Sequence, residues 1–389
     1  MVRELAKKYR PYMVEVRRYL HMHPELSFQE HETCRFIQAE LTKMAIPFLV
    51  IEGTTNIVAT ITGAKPGKMI LLRADMDALP VQELNDCAYQ SQTPGVMHAC
   101  GHDGHVAALL GAAKILLELR EQIQGTVKLL FESGEEFRGS FEVVEQSGVL
   151  EGIDHCFGIH IWAEVPVGKL SCQAGARMAG TELFTLEVTG KGAHASAPQQ
   201  GVDALVAAAA IVMNLQTIVS RELSPQDTGV VTIGKMTAGQ RFNVIAEKAT
   251  LEGNLRYFDP RLEWGYRDMI LRIAEHTAAA YRAQCEMTLF GHGTPALINA
   301  PSDAAFGQKV ATALFGDDVL YDLPPLMAGE DFAFYIDKLG GTFVFVGGGF
   351  TDRENASHHN GRFDIDEDSL PIASAMHAQY ALDWLAAHS

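Results

Sequence analysis

The chain has 389 residues, long enough for two domains, and its 47% hydrophobic and 20% charged residues are typical of soluble globular proteins. Its 31 lysines and arginines against 48 aspartates and glutamates leave a net charge of −17 at pH 7. Because nucleic acid and anionic membranes repel such a protein, we expect neither as a partner. The six cysteines are dispersed and form no CxxC pair, which predicts reduced thiols. The first ten residues contain no apolar run of the kind found in secretory signals, so we expect a cytoplasmic protein.

Helices and strands alternate in the first part of the chain. Apolar residues at helical spacing predict helices over residues 4–20, 30–44 and 104–119. Short apolar runs predict strands over residues 68–73, 126–131 and 156–161. This alternation indicates an α/β fold whose sheet is covered by helices on both faces.

A different order begins near residue 181. The pattern predicts a strand, a helix, two strands, a helix and a strand, over 181–188, 203–223, 229–235, 249–256, 259–282 and 286–290. This is the split βαβ, or ferredoxin-like, arrangement. Asp203 is the expected N-cap of the first helix, and Asp259 and Pro260 are expected to begin the second. The α/β pattern resumes over 303–385, so we predict a domain formed by 1–178 and 294–389, with 179–293 inserted.

The segment 97–105, MHACGHDGH, places one thiol and three imidazoles directly before a predicted helix. Such donors suit a divalent transition metal. Further ionisable groups follow the predicted strands, at Asp75, Asp77, 132–136, His160 and 357–360. Taken singly, each is more often a core histidine or a solvated loop. Their joint position at strand ends favours one shared site, because ligands of open α/β sheets bind there.

These segments belong to longer motifs: HMHPEL at 21–26, MHACGHDGH, ESGEE at 132–136, GIHIW at 158–162, GKGAHASAP at 190–198 and HHNGRFDIDED at 358–368. Together they resemble the M20 metallopeptidase family, and most closely its amidohydrolase branch of aminoacylase-like and hippurate hydrolase-like enzymes. The resemblance covers nearly the whole chain. It implies that 1–178 and 294–389 form the catalytic, metal-binding domain and that 179–293 forms a lid and dimerisation domain. It also implies cleavage of N-acyl amino acids.

The resemblance further implies two divalent ions per chain, Zn²⁺ or Mn²⁺. It implies as metal ligands Cys100, His102, Glu136, His160 and His359. A Cys100 thiolate can bridge two metals, and with one carboxylate it only partly neutralises them, which favours a bound hydroxide. Glu135 is implied as the general base for attack of that hydroxide on the amide.

Three residues of the inserted segment also match family motifs. His194 is implied to stabilise the oxyanion, often from the partner subunit. Asn243 and Arg256 suit the free carboxylate of an N-acyl amino acid. Each of the three could instead be an ordinary turn or domain residue.

The chain departs from the family pattern at Asp75, where many M20 peptidases carry a histidine ligand. We therefore expect Asp75 and Asp77 to orient ligands rather than to bind metal. His358 rivals His359 as a ligand, although the spacing to Phe363 favours His359. Supporting roles are expected for His98, His105 and Glu330.

Three alternatives stay open at this point. The chain could be a dipeptidase or carboxypeptidase of the same fold, a catalytically silent binding protein, or a protein in which Cys100 has a redox role. The predicted helix over 203–223 is apolar on more faces than a free surface helix tolerates. We therefore expect a homodimer through the inserted domain, with a helix sandwiched inside one chain as the alternative.

Overall fold

The computed structural model describes residues 1–137 and 139–389. Its helices are α1 (Val2–Met22), α2 (His31–Lys43), α3 (His102–Glu118), α4 (Phe141–Gln146), α5 (Ala204–Leu215), α6 (Leu262–Ala280), α7 (Pro301–Phe315), α8 (Phe332–Leu339) and α9 (Ser369–Ala387). Its strands are β1 (Phe48–Val50), β2 (Ile57–Thr62), β3 (Lys65–Asp75), β4 (Gln124–Glu132), β5 (His155–Pro166), β6 (Leu170–Ser171), β7 (Gly175–Met178), β8 (Gly180–Thr189), β9 (Gly229–Ala238), β10 (Lys248–Tyr257), β11 (Gln284–Gly291), β12 (Leu297–Asn299) and β13 (Gly341–Gly349).

The chain divides into two compact units. The first unit comprises Met1–Gly175, Ile298–Pro324 and Phe334–Ser389, and the second comprises Ala176–Leu297 and Pro325–Ala333. These bounds fall within a few residues of the predicted 178/179 and 293/294 divisions. Residues 325–333 differ, because the structure groups them with the second unit rather than with the α/β domain.

A mixed sheet forms the centre of the first unit. In the described part of the chain its strand order is β1-β2-β4-β3-β5-β13-β6. Strands β4, β3, β5 and β13 run parallel, so their carboxyl ends lie at the same edge of the sheet. This edge receives the segments after β3 and β4 and the last residues of β5.

Helix α3 packs against α1 and α9 on this sheet. Fourteen of its residues are buried, including the whole stretch from His102 to Ala113. A helix that is apolar almost all round must be covered on several sides, which explains its central position. The site histidine at its first position is therefore carried by one of the most buried elements of the unit.

The second unit contains an antiparallel sheet of order β11-β8-β10-β9, with α5 and α6 packed on it. This is the predicted split βαβ order. The carboxylate of Asp203 caps α5 by accepting the N–H groups of Leu205 and Val206. The predicted start of α6 at Pro260 is wrong. The helix begins at Leu262, because the Asp259 carboxylate binds the backbone and guanidinium of Arg261 in a turn before it.

The predicted helix over 203–223 is also not continuous. Helix α5 ends at Leu215, and a π-helical turn covers Ile218–Glu222. By length and composition alone, the combined stretch Ala204–Glu222 is the one candidate membrane span in the described residues, and 33% of its apolar window is buried. Ala207, Ala208 and Ile211 pack into the core of the unit, whereas Met213 is 70% exposed.

Candidate active site

His102 occupies the first position of α3, and a glycine makes this possible. Gly101 precedes the helix with φ 91°, in the left-handed region that favours glycine. The chain turns there, with Cys100 directly before the turn and His102 directly after it. The motif Cys-Gly-His therefore supplies two donors from one tight turn.

His102 is oriented by Asp77. Its Nδ1 lies 3.1 Å from Asp77 Oδ1, which makes Nδ1–H the donor and turns the Nε2 lone pair inward. Nε2 is buried and lacks a hydrogen-bond partner within the described residues. Although burial lowers the pKa of His102, the carboxylates of Asp75 and Asp77 raise it to about 10. The surroundings therefore stabilise positive charge at this nitrogen, as a cation site requires.

Cys100 lies 3.5 Å from His160, measured from Sγ to Nε2. The Nδ1–H of His160 donates to the carbonyl oxygen of Ile161 at 2.9 Å, which leaves the Nε2 lone pair facing the sulfur. Two ligands of a tetrahedral zinc ion, one thiolate and one imidazole, would be about 3.6 Å apart. Burial raises the pKa of the Cys100 thiol well above its ordinary value, and the Glu136 and Glu135 carboxylates raise it further. A bound cation would offset that penalty for the thiolate.

Glu136 and His359 complete the donor set. Glu136 Oε1 lies 3.2 Å from His359 Nε2, and the backbone N–H of Glu136 donates to Asp77 Oδ2 at 3.0 Å. His359 has φ 63°, and its N–H donates to the carbonyl oxygen of Ala99 at 2.8 Å. This hydrogen bond joins the C-terminal loop to the Cys100 turn. Donor atoms of Cys100, Glu136 and His359 all lie within 4.8 Å of one another.

Glu135 lies beside this set. One of its carboxylate oxygens is within 4.8 Å of donor atoms of both His102 and Glu136. The turn that carries Glu135 is anchored by Glu30, whose carboxylate accepts the hydroxyl of Ser133 at 2.8 Å and the N–H of Gly134 at 3.1 Å. Sequence analysis missed Glu30. The only signal for it was its position four residues after the HMHPEL motif.

The supporting histidines have different surroundings. Both ring nitrogens of His105 are hydrogen-bonded. Its Nδ1 pairs with Asp75 Oδ1 at 2.5 Å, and its Nε2 accepts the N–H of Ile161 at 2.8 Å. It therefore has no lone pair left for a metal, in agreement with its expected supporting role. Burial lowers the pKa of His98 to about 4.

Asp75 also pairs with the guanidinium of Arg73 at 2.6 Å, in a fully buried ion pair.

The residues present fit a metal centre. Thiolate, imidazole and carboxylate are the donors that Zn²⁺ and Mn²⁺ take in proteins, with thiolate favouring zinc. The Nε2 of His102 is buried, and the tautomer of the ring is fixed by the Asp77 carboxylate, an arrangement that is usual for metal-bound histidine.

Comparison with known proteins identifies the family. The model of Peptidase family M20/M25/M40 matches residues 71–383. The chain belongs to this family. The predicted resemblance is thereby confirmed, and so is the assignment as a hydrolase that acts on amide bonds.

Three relatives of this M20 chain illustrate the similarity. It is 39% identical to the IAA-amino acid hydrolase ILR1-like 2 of Arabidopsis thaliana, over 96% of this chain and 85% of the relative. It is 37% identical to the N-acetylcysteine deacetylase of Bacillus subtilis, over 97% of both chains. The solved structure of the Bacillus subtilis YXEP protein, described as a dinuclear metal binding peptidase from the M20 family, matches with a TM-score of 0.86 and 33% identity. That match covers 98% of this chain and 99% of the other. The two-domain α/β fold class is confirmed.

The second unit of the M20 chain carries the other predicted residues. His194 Nδ1 accepts the N–H of Ser196 at 3.1 Å, so the proton of the neutral ring lies on Nε2. Asn243 accepts the N–H of Ala195 with its backbone carbonyl. Arg256 donates through Nη1 to the carbonyl oxygen of Met327 at 2.6 Å. Glu330, which is buried, also belongs to this unit and accepts the N–H of Phe332.

Proposed function

We propose that this protein is an N-acyl-amino-acid amidohydrolase that uses two divalent metal ions. The observation that carries the proposal is the placement of Glu135 within 4.8 Å of donor atoms of His102 and Glu136. A metallohydrolase needs a carboxylate base beside its metal ligands, because a water must lose a proton as it attacks the carbonyl. The names of the two curated relatives, which state hydrolysis of an IAA-amino acid and deacetylation of N-acetylcysteine, support this substrate class.

The proposed metal ligands are Cys100, His102, Glu136, His160 and His359. When bound there, divalent ions lower the pKa of a water to about 7 and polarise the amide carbonyl. The sulfur of Cys100 lies within 4.8 Å of donor atoms in two clusters, one with His160 and His358 and one with Glu136 and His359, so Cys100 would help to hold both ions. The thiolate favours Zn²⁺ over Mn²⁺.

Glu135 moves the proton in the proposed reaction. It takes a proton from the attacking water as the new C–O bond forms, and it delivers that proton to the amide nitrogen as the C–N bond breaks. The products are a carboxylate and the free amino acid. His194 is the proposed oxyanion donor, since its fixed tautomer carries a proton on Nε2. Asn243 and Arg256 are the proposed partners of the substrate carboxylate.

A substrate comparison tests the proposal. The protein is stripped of metal, restored with Zn²⁺ or Mn²⁺ separately, and assayed with a panel of N-acetyl amino acids and with unblocked dipeptides of the same C-terminal residues. We expect turnover of the N-acetyl amino acids. Preference for the dipeptides would establish the dipeptidase alternative, and two bound ions without any turnover would establish the binding protein.

We further propose that the second unit forms a homodimer. Exposed apolar residues follow the outer face of α5, where Leu205 is 41%, Val206 45% and Met213 70% exposed. Isolated exposed apolar residues are ordinary, but a row of them on one helix is typical of an interaction surface.

We propose a cytoplasmic location on the basis of the dispersed, unpaired cysteines.

A further inference from the structure

His358 is a histidine with only 10% of its side chain exposed that the proposed reaction does not use, yet it contacts the Cys100 thiol. Its Nδ1 lies 3.5 Å from Cys100 Sγ. Its ring stacks on Trp162, with centroids 4.1 Å apart and an angle of 25° between the planes. By distance alone it is as close to the sulfur as His160 is, so distance does not distinguish a metal ligand from a hydrogen-bond donor.

The backbone of β5 decides the tautomer of His358. The N–H of Ala163 donates to His358 Nε2 at 3.1 Å, so this nitrogen presents its lone pair. A neutral imidazole then carries its proton on Nδ1. The nearest carboxylate oxygen, Glu164 Oε2, is 3.6 Å from Nε2, which is beyond hydrogen-bond distance. The nitrogen that faces Cys100 is therefore a donor.

His160, which lies on β5 itself, shows the opposite arrangement. Its Nδ1–H donates to the carbonyl oxygen of Ile161, and its Nε2 lone pair faces the sulfur at 3.5 Å. Two histidines thus lie at equal distances from Cys100, one with a lone pair and one with an N–H. In both cases the β5 backbone fixes the difference, once through a carbonyl oxygen and once through an N–H.

We propose that His358 is a positioning residue that donates an Nδ1–H hydrogen bond to the Cys100 thiolate and does not bind metal. This inference rests on the proposed function, in which Cys100 is a metal ligand. A hydrogen bond to a ligating sulfur stabilises the sulfur lone pairs and reduces the electron density that they give to the metal. His358 would thereby hold the Cys100 thiolate in place and weaken its donor strength toward a bound metal.

Cobalt substitution tests this directly. The stripped full-length protein is loaded with Co²⁺, and the thiolate-to-cobalt charge-transfer band and the bound cobalt per chain are measured for the wild type, His358→Asn and His358→Leu. Asn and Leu have nearly the same shape, and both remove the acceptor for Ala163. Only Asn keeps an N–H group near the position of Nδ1. We expect unchanged cobalt content in both variants, a shift of the band to longer wavelength in His358→Leu, and a smaller shift in His358→Asn.

The other outcomes separate a failure of the inference about His358 from a failure of the proposed function. Loss of bound cobalt in both variants would make His358 a ligand and overturn the inference. Equal band positions in all three proteins would also overturn it, while leaving Cys100 as a ligand. A wild-type protein that binds cobalt without any thiolate band would instead remove Cys100 from the proposed centre.

A measurement on the wild type covers the case in which both variants fail to fold. Imidazole ¹H–¹⁵N correlation spectra distinguish the two neutral tautomers, and the spectrum of His358→Gln or of selectively labelled protein assigns the signal. A proton on Nδ1 of His358 supports the inference. A proton on Nε2 overturns it.

Discussion

Asp77 holds two different parts of the candidate metal centre with its two oxygens. Oδ1 lies 3.1 Å from Nδ1 of His102, while Oδ2 accepts the backbone N–H of Glu136 at 3.0 Å and the hydroxyl of Ser27 at 2.6 Å. One buried carboxylate thus fixes the ring of one proposed ligand and the backbone of another. This side chain therefore links the two segments directly.

Replacement of Asp77 by Asn is therefore expected to weaken metal binding. The amide cannot accept from His102 and from Glu136 with both of its polar atoms, so one of the two contacts is lost. Loss of such an orienting partner typically lowers metal affinity by about 10–100-fold. Competition with a chelator measures the change, and Ser27→Ala, which removes only one donor to Oδ2, is the control. Equal affinity in Asp77→Asn and wild type would contradict the assigned role.

Glu135→Gln is expected to keep its metal content and to lose turnover. The amide cannot accept the proton of the attacking water, and general acid–base catalysis typically contributes about 10²–10⁴-fold to the rate. Metal analysis and kcat on an N-acetyl amino acid measure the two effects. Glu151→Gln, at an exposed position of the same unit, is the matched control. Normal turnover in Glu135→Gln would remove Glu135 from the mechanism.

Arg17→Met is expected to destabilise the first unit by about 3–5 kcal/mol, because it leaves the buried Asp103 carboxylate without its guanidinium partner. Arg17 is fully buried and contacts Asp103 at 3.0 Å and Asp364 at 2.6 Å. These contacts join the residue after His102 to the loop after His359. Urea unfolding of the metal-free protein measures the loss.

The neighbouring arginine provides the control for this prediction. Arg18 pairs with Glu367 at the surface, with 45% of its side chain exposed. Arg18→Met should therefore cost less than about 1 kcal/mol. Similar costs for the two variants would show that burial of Arg17 does not govern its contribution.

The stability of the second unit is expected to decrease as the pH rises. Burial, together with the nearby Glu263 carboxylate, raises the pKa of Glu182 from 4.5 to about 7. The folded unit therefore binds this proton more tightly than the unfolded chain does, so Glu182 lowers stability progressively between pH 4.5 and 7. Glu182→Gln should be more stable than wild type above pH 7 and should show a flatter slope. Thermal unfolding across this range measures both. Parallel slopes would contradict the assignment.

Met213→Glu is expected to weaken the proposed homodimer. A charge on the outer face of α5 would have to be desolvated in the interface. Light scattering should show the variant moving towards the 42.5 kDa of one chain at concentrations where the wild type is larger. Val143→Glu, at a 42% exposed apolar position of the first unit, is the control. A wild type that remains at 42.5 kDa at all concentrations would contradict the proposal.

The sequence predicted the order of elements well, because apolar periodicity is a local property. It also predicted that the segments carrying His102, Glu136 and His160 meet in one site, from the donor-rich segment 97–105 and from the functional groups at strand ends. It could not reveal that both ring nitrogens of His105 are hydrogen-bonded within the protein. That result depends on Asp75 and on the N–H of Ile161, which are distant in the chain.

Contacts between residues distant in the chain also explain why the roles of Glu30 and Arg17 were not predicted. The roles of Glu30 and Arg17 depend on contacts over about a hundred residues or more, to Ser133 and to Asp364. A buried ion pair leaves no periodic signal in the sequence. The end of α5 at Leu215 was missed because the apolar pattern continues through the π-helical turn that follows.

The sheet order also has a consequence for synthesis of the chain. Strand β13 lies between β5 and β6, yet it begins at Gly341, after most of the second unit has been made. A nascent chain therefore carries β5 with one unpaired edge while about 170 further residues are translated. An open edge of this kind can pair with other strands. Early, independent folding of the inserted residues would pair their own strands within the second unit and so remove them as partners for such mispairing.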